Sequence, residues 1–161
     1  MFELKNISAN DKSGFYAELA TQAQGLLHGE RDLIANAANF AAFLYHALPD
    51  VNWAGFYFLK DGELVVGPFQ GKPACVRIAM GKGVCGTAAA KRESLVVPDV
   101  NEFPGHIFCD ADSRSEVVVP LVRNGELLGI LDIDSPSVAR FDAEDRSGLE
   151  RLAAIFMEAL N

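Results

Sequence analysis

Val51-Asn-Trp-Ala-Gly-Phe-Tyr-Phe-Leu-Lys-Asp-Gly-Glu-Leu-Val-Val-Gly-Pro-Phe-Gln70 is where the chain changes its hydrophobic period. Val51–Lys60 and Glu63–Gln70 are rich in aromatic and β-branched residues, and Asp61-Gly62 between them is a two-residue hairpin signal. Upstream, the spacing is helical. Asp11–Leu27 carries Phe15, Leu19, Ala23 and Leu26, with a stop at His28-Gly29. Asp32–Leu48 carries Leu33, Ala37, Phe40, Leu44 and Leu48, and Pro49-Asp50 breaks it. Downstream, Cys75–Ala79 and Leu95–Pro98 predict short strands around a helix over Val84–Arg92. Ser115–Val122 and Glu126–Asp134 predict a strand pair around Arg123-Asn-Gly125. A last helix starts at Asp142 and carries Leu149, Leu152, Phe156 and Leu160. This order predicts an α+β fold: a central antiparallel sheet with the N- and C-terminal helices packed on one face. Asp99–Ser115 is left as a long polar loop, and such loops in compact domains often carry function.

The chain has 161 residues with no internal repeat or linker, so a single domain over 1–161 is expected. Half the residues are apolar and 22% are charged, which fits a folded chain and not a disordered one. Lys plus Arg is 14 against 22 Asp plus Glu, a formal charge of −8, which argues against nucleic-acid or anionic-membrane partners. No apolar run has membrane-spanning length, and the start has no charged-then-apolar export pattern, so a cytoplasmic location is expected. Met80-Gly-Lys-Gly-Val-Cys-Gly is glycine-rich but lacks the Gly-Lys-Ser/Thr ending of a phosphate loop.

The three cysteines, Cys75, Cys85 and Cys109, have no Cys-x-x-Cys element and no paired histidines, which argues against structural zinc. They read as buried small hydrophobes or as reduced, reactive thiols. Cys109 stands apart from the other two, because it lies in the polar loop. His106, three residues earlier, would lower its pKa, whereas Asp110 and Asp112 would raise it.

Leu127–Asp134 is the chemical anomaly. Leu128 and Ile130 share one face with Asp132 and Asp134, while Leu127, Leu131 and Ile133 take the other, so the strand reads as central. Two carboxylates on one face of a buried strand need a cation or hydrogen-bond donors. With a two-residue Asn124-Gly125 turn, Val117 opposes Asp132 and Glu116 faces away. With a three-residue turn, or a bulge at Pro120, Glu116 falls directly across from Asp132. Three carboxylates then converge, and a hard metal or an ammonium would neutralise them. Trp53 and Tyr57 share a strand face, either as core or as an aromatic wall for a cation or a sulfoxide.

Asn52-Trp-Ala-Gly-Phe-Tyr57, Gly67-Pro-Phe-Gln-Gly71, Ile78-Ala-Met-Gly-Lys-Gly-Val-Cys-Gly-Thr-Ala88, His106-Ile-Phe-Cys-Asp110, Ser115-Glu-Val-Val-Val-Pro120 and Gly129-Ile-Leu-Asp-Ile-Asp-Ser135 together resemble the free methionine-(R)-sulfoxide reductases, a family built on one GAF domain. The resemblance runs over nearly the whole chain. It implies a GAF-like fold with a long active-site loop, and thiol-dependent reduction of free L-methionine (R)-S-oxide. No cofactor and no metal is implied. Glu116, Asp132 and Asp134 would hold the substrate ammonium, and Trp53 and Tyr57 would pack on the methyl-sulfoxide end. Cys109 would attack the sulfoxide sulfur, and Cys75 would resolve the sulfenic acid to a disulfide recycled by thioredoxin. Cys85, at the substrate pocket in the family, rivals either role. A protonated carboxyl would supply the proton, Asp134 before Glu116. The resemblance also allows a homodimer. The alternative is a GAF-type small-molecule sensor, although neither an output domain nor an Asn-Lys-x-x-Phe-Asp-Glu motif is visible.

Overall fold

The computed structural model describes residues 1–161. The elements are α1 (Lys12–Leu27), α2 (Leu33–Ala47), β1 (Trp53–Lys60), β2 (Glu63–Gly71), β3 (Arg77–Ala79), α3 (Gly83–Lys91), β4 (Leu95–Val97), a 3-10 turn (Val100–Glu102), β5 (Ser115–Arg123), β6 (Glu126–Ser135) and α4 (Ala143–Ala159). The strands form one antiparallel sheet in the order β3-β2-β1-β6-β5-β4, so β1 and β6 are central. No helix is long and apolar enough to cross a membrane.

Local chemistry accounts for the ends of these elements. Asp11, Asp32 and Asp142 cap α1, α2 and α4, each accepting a backbone N–H of the first turn. Asp142 and Asp145 bond reciprocally in a capping box. Both hairpin turns have positive φ at two residues, Asp61-Gly62 and Asn124-Gly125, the requirement of a twist-matched two-residue turn.

The two sheet faces bury different cores. Ala54, Phe56 and Phe58 of β1, with Val117, Val119, Leu131 and Ile133, meet α1, α2 and α4 in the larger core. Trp53, Tyr57, Val118 and Ile130 meet α3 in the smaller one. The terminal helices share one face as expected, and the inserted helix lies on the opposite one.

The β5–β6 register corrects the sequence reading. The turn has two residues, with Arg123 opposite Glu126, and the irregularity lies near Leu128 instead of Pro120. Val122 pairs with Leu127 but Leu121 pairs with Gly129, so Leu128 is the extra residue. As a result Leu127 turns to the α3 side and Leu128 to the terminal-helix side, the reverse of strict alternation. Glu116 pairs with Asp134, and Val118 is the residue across from Asp132. The shift runs opposite to the expected one, yet an odd shift of either sign turns Glu116 to the same face. Gly129 explains where the bulge falls: a Cβ there would lie 2.1 Å from the Tyr57 carbonyl oxygen of β1.

Candidate active site

The smaller core does not close completely. A cavity of about 40 Å³ lies between the sheet, the start of α3 and the 103–114 loop. Trp53 and Tyr57 from β1, Cys85 from α3, Cys109 from the loop, Glu116 from β5 and Asp132 and Asp134 from β6 all line it. Of the expected catalytic and substrate-binding residues, only Cys75 is not on the wall. It joins the site through a disulfide to Cys109, with the Cα atoms 5.3 Å apart across 34 positions of sequence.

The aromatic wall is built by pairing. Trp53 stacks on Tyr57 at 5.9 Å between ring centroids and on Phe69 of β2 at 5.1 Å. Trp53 Nε1 donates to the Lys72 carbonyl at 3.1 Å, and the Tyr57 hydroxyl donates to the Cys75 carbonyl at 3.0 Å. Both rings are thus fixed to the segment that carries one half of the disulfide. Phe69, which backs Trp53, was missed as a supporting residue. Its face depends on a register irregularity opposite Gly55/Tyr57, which a period-2 count does not show.

The opposite wall is electrostatic. Glu116 and Asp132 are 5% and 6% exposed, and Asp134 is half-buried at the rim. Burial, then the Asp134 charge, pushes Glu116 up to about 8. Burial, then the Glu116 charge, pushes Asp132 well above the carboxylate range. Asp134 is raised by burial and by the charges of Asp132 and Asp110. The Cys85 thiol, 5% exposed, donates to Glu116 Oε1 at 3.4 Å. Cys85 sits in the first turn of α3, where the helix dipole favours a thiolate by about 0.3–1 kcal/mol. Burial and three facing carboxylates outweigh that, and the thiol pKa is raised well above 9.0.

Asp132 Oδ1 and His106 Nδ1, both on the cavity wall, have no hydrogen-bond partner. Buried polar atoms are rarely left so, and their concentration here marks a place for a ligand. No lysine or arginine side chain hydrogen-bonds or ion-pairs with Glu116, Asp132 or Asp134. Asn52, also missed as a site residue, braces the loop by donating to Ser113 Oγ at 3.2 Å. Lys72 pairs with Asp112 on the outer side of the same loop. The arrangement therefore offers a cation-seeking end, an aromatic end and a sulfur pair at the mouth.

Residues 18–160 match the GAF domain family. The chain is 52% identical to the free methionine-R-sulfoxide reductase of Escherichia coli over 144 residues, 89% of this chain and 87% of that one. The chain belongs to the GAF-domain free methionine-R-sulfoxide reductases. Among solved structures of this family, that of the Neisseria meningitidis reductase in complex with its substrate superposes with a TM-score of 0.94. It is 44% identical, and the match covers 99% of this chain and 96% of that one. The reduced form of the Staphylococcus aureus enzyme superposes with a TM-score of 0.89 at 45% identity, covering 99% and 100%. The antiparallel α+β fold expected from the sequence is the fold of this family.

Proposed function

We propose that this chain, as one domain over residues 1–161, reduces free L-methionine (R)-S-oxide to L-methionine. One observation carries the reading: three carboxyl groups that no lysine or arginine side chain bonds face an aromatic wall, and a disulfide lies at the mouth between them. Glu116, Asp132 and Asp134 would receive the substrate ammonium, and Trp53 and Tyr57 its methyl-sulfoxide end. A cavity of about 40 Å³ is far below the roughly 300 Å³ of a small ligand pocket. Substrate therefore enters after the disulfide is reduced and the loop bearing Cys109 moves out.

In the first step the Cys109 thiolate attacks the sulfoxide sulfur. The sulfoxide oxygen takes a proton and passes as hydroxyl to the Cys109 sulfur as the substrate S–O bond breaks, so methionine leaves with the electron pair and Cys109 becomes a sulfenic acid. Asp134 is the donor we assign, since burial and the charges of Asp132 and Asp110 raise its pKa and so favour the protonated carboxyl. The Cys75 thiol then displaces water from the sulfenic acid and forms the disulfide. An external dithiol, thioredoxin, reduces it by attack on one sulfur and resolution of the mixed disulfide. Cys85 has a buried thiol with a raised pKa and a carboxylate partner, which supports a place outside this exchange.

The test is a rapid-quench count of methionine formed per pre-reduced chain with no reductant present. Cys109→Ser should form none, whereas Cys75→Ser and Cys85→Ser should each form close to one. Near-stoichiometric methionine from Cys109→Ser, with none from Cys85→Ser, would transfer the attacking role to Cys85. No methionine from the unmodified chain would reject the reductase reading altogether.

A further inference from the structure

We propose that the floor of the cavity is a binding site for a thiophilic divalent cation, Zn²⁺ or Cd²⁺, held by Cys85 Sγ and one oxygen each of Glu116 and Asp132. These three donor atoms lie within 4.8 Å of one another, and all three side chains are buried. Asp132 is more than nine-tenths buried on the cavity wall, and although its carboxyl also meets Glu116 and Cys85, its Oδ1 has no partner, so one lone-pair donor is free for an ion.

One of the three spacings already suits such an ion. On a tetrahedral zinc, with Zn–S about 2.3 Å and Zn–O about 2.1 Å, sulfur and oxygen stand about 3.6 Å apart. Cys85 Sγ and Glu116 Oε1 stand 3.4 Å apart. A cavity of about 40 Å³ admits an ion with a water, but not an amino acid. A water completes a set of one sulfur and two protein oxygens, as in open zinc sites. Hard cations are disfavoured, because the buried sulfur would replace an oxygen ligand they prefer. On coordination the Cys85 thiol and any protonated carboxyl release their protons to solvent, so one thiolate and two carboxylates set three negative charges against the two of the cation. The same carboxylates are those assigned to the substrate ammonium, so the ion and the substrate exclude each other.

The site is preformed in the disulfide state, where Cys75 and Cys109 cannot act as thiolate ligands. That isolates the readout from the reductase chemistry. The disulfide-form protein is titrated with CdCl₂ while the ultraviolet sulfur-to-cadmium charge-transfer band is followed. One equivalent should saturate the band, and ZnCl₂ should abolish it by displacement. Glu116→Gln should weaken cadmium binding by about tenfold or more, as loss of a supporting ligand does. Cys85→Ser should remove the band. The Cys75→Ser/Cys109→Ser double variant, whose only thiol is Cys85, should keep it and guards against misfolding of the first variant. Absence of the band in the disulfide form, or its persistence in Cys85→Ser, would overturn the site. Either result leaves the methionine count untouched, so failure here is separate from failure of the reductase reading.

Discussion

At the scale of single residues, the site is a set of carboxyl groups largely kept out of water with no lysine or arginine bonded to them. Glu116 shows the consequence for folding most directly. It loses its proton near the ordinary 4.5 when unfolded but only near about 8 when folded. Between those values the folded state binds the proton that the unfolded state has released, so stability falls as pH rises. The stabilising difference is fully present below the lower value and lost as pH passes the upper one. The thermal midpoint should therefore decline across this window, and the decline should be shallower in Glu116→Gln; parallel curves would refute the assignment. The substrate ammonium would supply the missing charge. Glu116→Gln or Asp132→Asn should then raise KM roughly tenfold to a hundredfold, since a charge-assisted hydrogen bond is worth about 1.5–3 kcal/mol. An N-acetylated methionine sulfoxide should be a poor substrate for the unmodified enzyme, and equal kcat/KM on both would exclude the ammonium role.

At the scale of elements, the site depends on how β5, β6 and α4 are tied. Ser115, next to Glu116, donates through its hydroxyl to the Ser137 carbonyl at 2.6 Å and accepts the Arg140 N–H at 3.3 Å. Arg140 in turn reaches Asp145 at 3.3 Å, and Asp145 accepts the Tyr16 hydroxyl at 2.8 Å and Lys12 Nζ at 2.6 Å. Asp145 is 1% exposed, so this carboxylate joins α1, α4 and the segment after β6 from inside. Asp142 also meets Lys12, but its side chain is 56% exposed. The two aspartates of the capping box should therefore differ. Asp142→Ala removes a cap and should lower stability by about 1 kcal/mol. Asp145→Ala strands the Arg140 charge and the Tyr16 hydroxyl, and should lower it by about 3–5 kcal/mol. Denaturant unfolding of both variants measures the difference, and equal losses would show that the cap alone matters.

At the scale of the molecule, the disulfide fastens the 103–114 loop to the segment before β3. Closing a loop of 34 residues should add about 2–4 kcal/mol by restricting the unfolded chain. Reduction by a dithiol should shift the unfolding midpoint down accordingly. Hydrogen exchange should rise in the loop and in residues 72–76, where few backbone bonds hold the chain. The sheet and α1, α2 and α4 should keep their protection. Uniform loss of protection would mean that the disulfide holds the whole fold and not a lid.

Much of this protein was legible as sequence because the signals involved are local. The switch from helical to alternating spacing at Val51, the Asp caps and the Asp61-Gly62 turn act within a few residues, and the structure places those elements within one or two positions of the expectation. Residue chemistry was legible for the same reason: Asp132, Asp134 and Glu116 are acids in strands that composition makes apolar. Other features required the folded chain. The extra residue at Leu128 arises where Gly129 crosses the Tyr57 carbonyl, a contact between strands far apart in sequence, and it places Glu116 opposite Asp134. Which face α3 takes, and that Cys75 stands within bonding reach of Cys109, also depend on long-range packing. Periodicity reports which side of its own element a residue occupies. Register, bulge position and the meeting of distant loops are set by contacts between elements, and those exist only in the tertiary structure.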